Sequence, residues 1–284
     1  MRHRAVKATV GALLLLLLPA LLAAPARADT SASSNWAGYA VHRTGVRFSR
    51  VIGAWRQPLV SCVRGQVTYS ALWTGLGGYS GTSDALEQIG TEADCTAAGR
   101  QSSGAWYEMV PAPSHPLSMH VHPGDSMLAS VSVSGHTTTL TLADLTRHET
   151  ATKRVKRADL DVSSAEWIVE APSECTLSGA CQTLPLANFG QAAFALSTVR
   201  SGARMGTITD RRWGTTKIVL QTGGGRRFVG SQSPSTAASA TPSRLAATGS
   251  AFSVSYSNAP LSGPFFGRVA GVLAPRPGDQ HLAR

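Results

Sequence analysis

Short runs in which apolar and polar residues alternate recur along the chain, separated by clusters of Gly, Pro, Ser and Thr. A period of two marks a strand with one buried face, and no long stretch keeps the 3.6-residue period of an amphipathic helix. Over 127–134, Met127, Ala129, Val131 and Val133 share one face while Ser130, Ser132 and Ser134 share the other. The same pattern predicts strands over 67–73, 85–92, 105–110, 138–144, 165–170, 192–199, 217–221 and 251–257. Turns are expected at Gly75-Leu76-Gly77-Gly78, over 111–116, at Pro123-Gly124-Asp125 and at Gly223-Gly224-Gly225. The expected fold class is all-β, a sandwich or barrel of antiparallel strands, with no internal repeat.

The two ends depart from this pattern. Residues 1–28 read as a secretory signal peptide: Arg2, Arg4 and Lys7 precede the apolar run at 13–18, and Ala26-Arg27-Ala28 supplies small residues for cleavage. A mature chain starting at Asp29 is expected outside the cell, with no membrane span or lipid anchor. Without that segment the chain has 22 Lys and Arg against 16 Asp and Glu, so part of the formal +10 belongs to the signal. The remaining basic residues have few aromatic neighbours, which argues against a nucleic-acid partner. Residues 29–257 are enough for a single β-domain, expected to be a monomer, and the Pro, Gly and Arg after residue 257 read as a loosely held tail over 258–284.

Four cysteines, Cys62, Cys95, Cys175 and Cys181, all fall in the exported part and predict two disulfides. Sequence alone allows three pairings; Cys175–Cys181 would staple a short loop and Cys62–Cys95 would tie two strand ends. No paired Cys/His spacing suggests zinc, His120 and His122 lack a third ligand, and no metal or other cofactor is expected. The chain has no G-x-S-x-G elbow, no H-E-x-x-H and no P-loop.

What remains is a set of carboxyls and amides on predicted strands. Glu170 shares a face with Glu166 and Ile168, opposite Trp167 and Val169. A carboxylate there can hold and deprotonate a water. Gln88, on a face with Leu86 and Gly90, can donate through its amide nitrogen to a developing oxyanion. Trp73, Trp106 and Glu108 read as a shell around that pair, or for the tryptophans as ordinary core packing.

In order, Ser34-Asn35-Trp36-Ala37-Gly38-Tyr39, Ala71-Leu72-Trp73-Thr74-Gly75-Leu76-Gly77-Gly78, Leu86-Glu87-Gln88-Ile89-Gly90, Ala105-Trp106-Tyr107-Glu108, Pro123-Gly124-Asp125-Ser126, Ala165-Glu166-Trp167-Ile168-Val169-Glu170 and Ala187-Asn188-Phe189-Gly190 resemble the glutamic peptidases, the eqolisin or G1 family once grouped as peptidase A4. The resemblance implies a sandwich of two seven-stranded antiparallel sheets. It further implies a polypeptide substrate in a concave cleft, and a catalytic Gln88 and Glu170 on neighbouring strands. Ionised Glu170 would take a proton from the attacking water and later protonate the leaving amine, while Gln88 stabilises the oxyanion. An ordinary glutamate near ~4.3 would suit activity from about pH 3 to 5. Fungal members carry aspartates where this chain has Gly77 and Gly104, which leaves the pH range open. Two rival readings of the same residues are a sugar-binding sandwich using Trp73, Trp106 and Trp167, and a glycosidase using Glu108 and Glu170.

Overall fold

A computed structural model of the chain describes residues 28–80, 83, 85–175, 181–221 and 238–258, without the side chains of Cys175 and Cys181. The signal-like segment, the Gly223 turn, the Cys175–Cys181 pairing and the tail beyond Asn258 lie outside what is described. Eighteen strands make up the described part, all of it without helix. They are β1 Asp29–Ser33, β2 Trp36–His42, β3 Arg50–Arg56, β4 Ala71–Gly77, β5 Leu86–Cys95, β6 Gln101–Val110, β7 His115–Leu117, β8 Ser126–Ser134 and β9 Thr137–Asp144. The second half has β10 Glu149–Lys156, β11 Ser164–Glu170, β12 Ser173–Cys175, β13 Cys181–Thr183, β14 Gln191–Ser201, β15 Arg204–Thr207, β16 Gly214–Gln221, β17 Ser239–Pro242 and β18 Phe252–Ser257.

The main path runs β10-β9-β8-β3-β14-β18-β17-β16-β2-β11-β4-β5-β6-β7. The layers of the sandwich are thus joined into one ladder: β17 pairs with β18 on one side and with β16 on the other. Pairing is antiparallel except for β1, which runs parallel to β16. Polar pins cross the interior between layers. The Trp167 indole of β11 donates to Ile52 O of β3 at 2.7 Å, and Trp55 of β3 donates to Thr91 Oγ1 of β5 at 2.9 Å. Trp167 is fully buried against Gly53, where a Cβ would lie 2.7 Å from its Cδ1, so glycine is what admits the ring. Replacing Trp167 by Ala would cost about 3–5 kcal/mol, the usual loss for a buried tryptophan.

Alternation located β8, β9 and most of the other interior strands but left β2 and β3 unassigned, although Val51, Gly53 and Trp55 alternate inward along β3. In β8, Met127, Ala129 and Val131 are buried, as the pattern required. Strand β10, ETATKRVK, lies at the end of the ladder with most positions exposed, and its charge is normal for an edge that must resist further pairing. The predicted 67–73 strand sits four residues too early. Thr68 and Tyr69 make only isolated bridges, and β4 continues through Gly75 and Gly77, two residues expected to turn. The side-chain-free Gly75 fits there because a Cβ would approach the Gln88 Cβ to 3.1 Å. Cys62 and Cys95 form a disulfide with Cα atoms 5.3 Å apart, tying the loop after β3 to the end of β5.

Candidate active site

Strand β11 is central, with β2 on one side and β4 on the other. Its residues alternate: Ala165, Trp167 and Val169 enter the interlayer core, while Ile168 joins Trp36, Ala40, Ala71, Trp73 and Leu86 in a smaller apolar cluster on the other face. Directly opposed residues in a sheet point to the same side. The row Ile168–Trp73–Gly90–Trp106 across β11, β4, β5 and β6 therefore places Glu166, Glu170, Gln88, Glu92 and Glu108 on that second face as well. One implication of the resemblance needs correction here. Gln88 and Glu170 are not on neighbouring strands, because β4 lies between them, and Gln88 stands in the row of Gly75 and Glu166 rather than in that of Glu170.

Glu170 is held by donors from two other segments. The Trp73 indole donates to Oε2 at 2.7 Å and the Asn35 amide to Oε1 at 3.1 Å. Asn35 occupies the crossing from β1 to β2, and Ser33 locks it: the Ser33 hydroxyl donates to Asn35 Oδ1 and accepts from the backbone N–H groups of Asn35 and Trp36. Ala171 N–H in turn donates to Asn35 O at 2.8 Å, so the amide that reaches Glu170 is itself fixed to the end of β11. Trp36 and Trp73 meet edge to face with centroids 4.9 Å apart, and both are fully buried. Burial pushes the Glu170 carboxyl up to about 8; the charge of Glu108 adds to this, and Trp73, Trp36 and Asn35 pull the other way. The expectation of an ordinary carboxylate near 4.3 is thereby corrected: desolvation outweighs the three neutral donors.

Gln88 is buried, and its Nε2 donates to Glu108 Oε2 at 2.5 Å across the β5–β6 pair. Its Oε1 is buried without a partner. Burial also raises Glu108, and the Gln88 bond offsets part of that shift. Glu108 is thus the group that both touches Gln88 and acts through its charge on Glu170. Trp106, partly exposed, flanks the row beside it. Trp73 and Trp167 are fully buried, which removes two of the three rings a sugar-stacking surface would need.

Sequence reasoning missed several groups. Asn35 and Trp36 stood inside a recognised motif without a role. Glu166 is wholly buried with both carboxyl oxygens unpartnered, and desolvation carries it well above the usual range. Glu92 is also raised by burial, and it faces Gly104, where a Cβ would lie 2.6 Å from Glu92 Oε1. At Gly77 a Cβ would lie 2.6 Å from Asp161 Cβ. Each place where a fungal aspartate is absent thus has a carboxyl from another residue against it. His122 and Asp125 form a separate pair in the turn before β8, and the described residues include no group of His, Cys, Asp and Glu able to hold a metal. Beyond the row of Gly77, Leu86 and Val110, a cavity of about 660 Å³ opens between Ser80, Ala85, Pro111 and Asp161.

A layered all-β fold with this carboxyl and amide face is the build of a glutamic-type endopeptidase. The chain belongs to the Peptidase A4 family, whose model matches residues 34–238. Among solved structures it is similar to scytalido-glutamic peptidase with a peptide-based transition-state analogue, at 24% identity and a TM-score of 0.62 over 79% of this chain and 98% of that one. It is similar too to SCP-B, an eqolisin in complex with the tripeptide Ala-Ile-His, at 23% identity and a TM-score of 0.59 over 79% of this chain and 98% of that one. For aspergilloglutamic peptidase from Aspergillus niger the identity is 23% and the TM-score 0.52, over 67% of this chain and 99% of that one. No curated protein sequence matches the chain.

Proposed function

We propose that this chain is a secreted endopeptidase in which Glu170 is the general base and Gln88 the oxyanion donor. The observation that carries the reading is the setting of Glu170. Two neutral N–H donors of fixed orientation hold a half-buried carboxyl in place, and among the described residues it forms no ion pair. A carboxylate in such a site is a stronger base than one in water, since its proton affinity is raised while donors still stabilise the anion. The proton it takes from water returns to the leaving amine. Gln88, neutral at every pH of interest, offers N–H to the carbonyl oxygen as charge develops on it. The signal-like residues 1–28 and the Cys62–Cys95 disulfide support export to an oxidising compartment, with residues 29–257 as the working domain.

The test is hydrolysis of a denatured protein by the secreted chain over a pH series, with and without pepstatin, beside Glu170→Gln and Gln88→Ala. Cleavage that survives pepstatin and is lost in both variants supports the assignment. Full turnover by Gln88→Ala would exclude the amide from the chemistry and reopen the glycosidase reading with Glu108 and Glu170, which a glycan substrate then checks.

A further inference from the structure

Gln88 Oε1 is a buried acceptor with no partner, an arrangement that is destabilising unless some other state of the site satisfies it. The group in reach is Glu108, 2.5 Å from the amide nitrogen. An ionised carboxylate can only accept, so it must face the Nε2 end of the amide and takes up one of its two N–H donors. A neutral carboxyl can donate its O–H, and then it pairs with Oε1 instead. A half-turn of the amide about its last torsion exchanges the two arrangements, since amide oxygen and nitrogen have nearly the same size.

We infer that Glu108 is a positioning residue whose proton decides how Gln88 faces the substrate, the reactive form having neutral Glu108 and ionised Glu170. This inference rests on the proposed roles of Gln88 and Glu170. In that form Glu108 O–H donates to Gln88 Oε1, the orphaned acceptor is satisfied, and both Nε2 hydrogens are released toward the carbonyl oxygen. The same proton removes the negative charge that opposes ionisation of Glu170. One proton therefore prepares the oxyanion donor and the base together. Two coupled carboxyls lose their protons in two steps that belong to the pair, so the active form is bounded by one step on each side and activity follows a bell.

The other groups around Glu108 fit this assignment. Glu170 and Glu166 of β11 and Glu92 of β5 are acidic and share its face, and desolvation holds the Glu108 carboxyl above its ordinary value. Tyr107 and His115, stacked with centroids 5.2 Å apart, lie on the opposite face of β6. Arg157, the cation at the end of β6, is committed to Asp159 and to the carbonyls of Met109 and Val110. Among the described residues Glu108 forms no ion pair that would hold it ionised.

The experiment has a spectroscopic arm and a kinetic arm. In the Glu170→Gln background, where position 170 cannot titrate, the side-chain amide resonances of Gln88 are followed by ¹⁵N NMR from about pH 4 to 9 and assigned by their loss in Gln88→Ala. A titrating shift that disappears when Glu108→Gln is added is expected. A flat response, or the same titration in the double variant, overturns the inference without touching the role of Glu170. In the otherwise native chain, Glu108→Gln is expected to rescue most of the turnover lost in Glu108→Ala, because its N–H also reaches Gln88 Oε1. The alkaline limb of kcat/KM should move up by about one pH unit or more in Glu108→Gln, which keeps the donor at every pH. An unmoved limb counts against the switch. Activity persisting in Glu170→Gln would instead sink the base assignment itself, which separates the two failures.

Discussion

Two acidic regions of this molecule use the same residue types to opposite ends. At the β8–β9 end, Asp125 is buried, and burial alone would raise it. The His122 N–H at 2.7 Å and the Arg147 guanidinium at 3.0 Å outweigh that and leave it below the usual aspartate range. On the outer face of β11, β5 and β6 Glu166 is wholly buried and Glu170 and Glu108 are half-buried, no ion pair to any of them is formed among the described residues, and all three are raised by desolvation. The first region spends its charges on holding a turn closed. The second keeps its carboxyls basic and available, which is what proton transfer requires.

The largest effect expected from breaking this contrast is at Glu170. Glu170→Gln keeps the shape and the two N–H contacts in part, yet should lower kcat by roughly 10³-fold or more, since a positioned general base supplies about 10²–10⁴. Its melting temperature at neutral pH should be equal to or above that of the native chain, because a neutral amide replaces a group that resists ionisation. A variant that turns over normally would deny Glu170 any proton to carry. Next, Gln88→Ala should reduce kcat by about 10²–10³-fold with little change in KM, the mark of a contact made in the transition state. A change confined to KM would make Gln88 a substrate-binding residue only.

Stability against pH sharpens the comparison without reference to catalysis. Burial raises Glu87 to about 8, Asp94 to about 7 and Glu170 to about 8, from ordinary values of 4.5, 3.8 and 4.5. Between those limits the folded chain binds more protons than the unfolded one, so stability falls as pH rises. The stabilisation from these groups is full below about pH 4 and is lost as pH climbs through about 7 to 8. Melting temperature should therefore drop by on the order of 10 °C between about pH 5 and 8. Scanning calorimetry at fixed ionic strength reads it, and a Tm that climbs over this range would contradict the raised carboxyls. The Asp125 cluster has the opposite sign, its contribution being lost as pH falls below the ordinary aspartate value. Arg147 is partly exposed, so solvent screening limits its worth, and Arg147→Ala should cost about 1–2 kcal/mol at neutral pH and less in acid. Urea unfolding at both pH values measures it. A loss that is larger in acid would mean the cluster is not held by charge.

Much of the sheet was legible because a strand buried on one face must alternate, as β8 and β9 do. Strand β11 was found by a different signal, β-branched and aromatic residues around Glu166 and Glu170, although all but its last residue are buried. Strand β10 escaped because an exposed edge needs charge rather than an apolar face, and β1 because five small and polar residues carry no periodic signal. Gln88, Glu108 and Glu170 could be named from the residues flanking them. Asn35 could not be given its task, since only the crossing of β1 over to β2 carries its amide to a carboxyl 135 positions later.

The sequence by itself determined the fold class, the faces of strands such as β8 and β9 and the two residues proposed for the chemistry, because alternation and side-chain type are local properties. Tertiary structure alone decided what those residues are worth as acids and bases. A glutamate reads the same in any string, but its proton affinity depends on which donors, charges and walls distant segments bring to it, and at Glu170 the indole of Trp73, the amide of Asn35 and the charge of Glu108 come from three separate strands or turns.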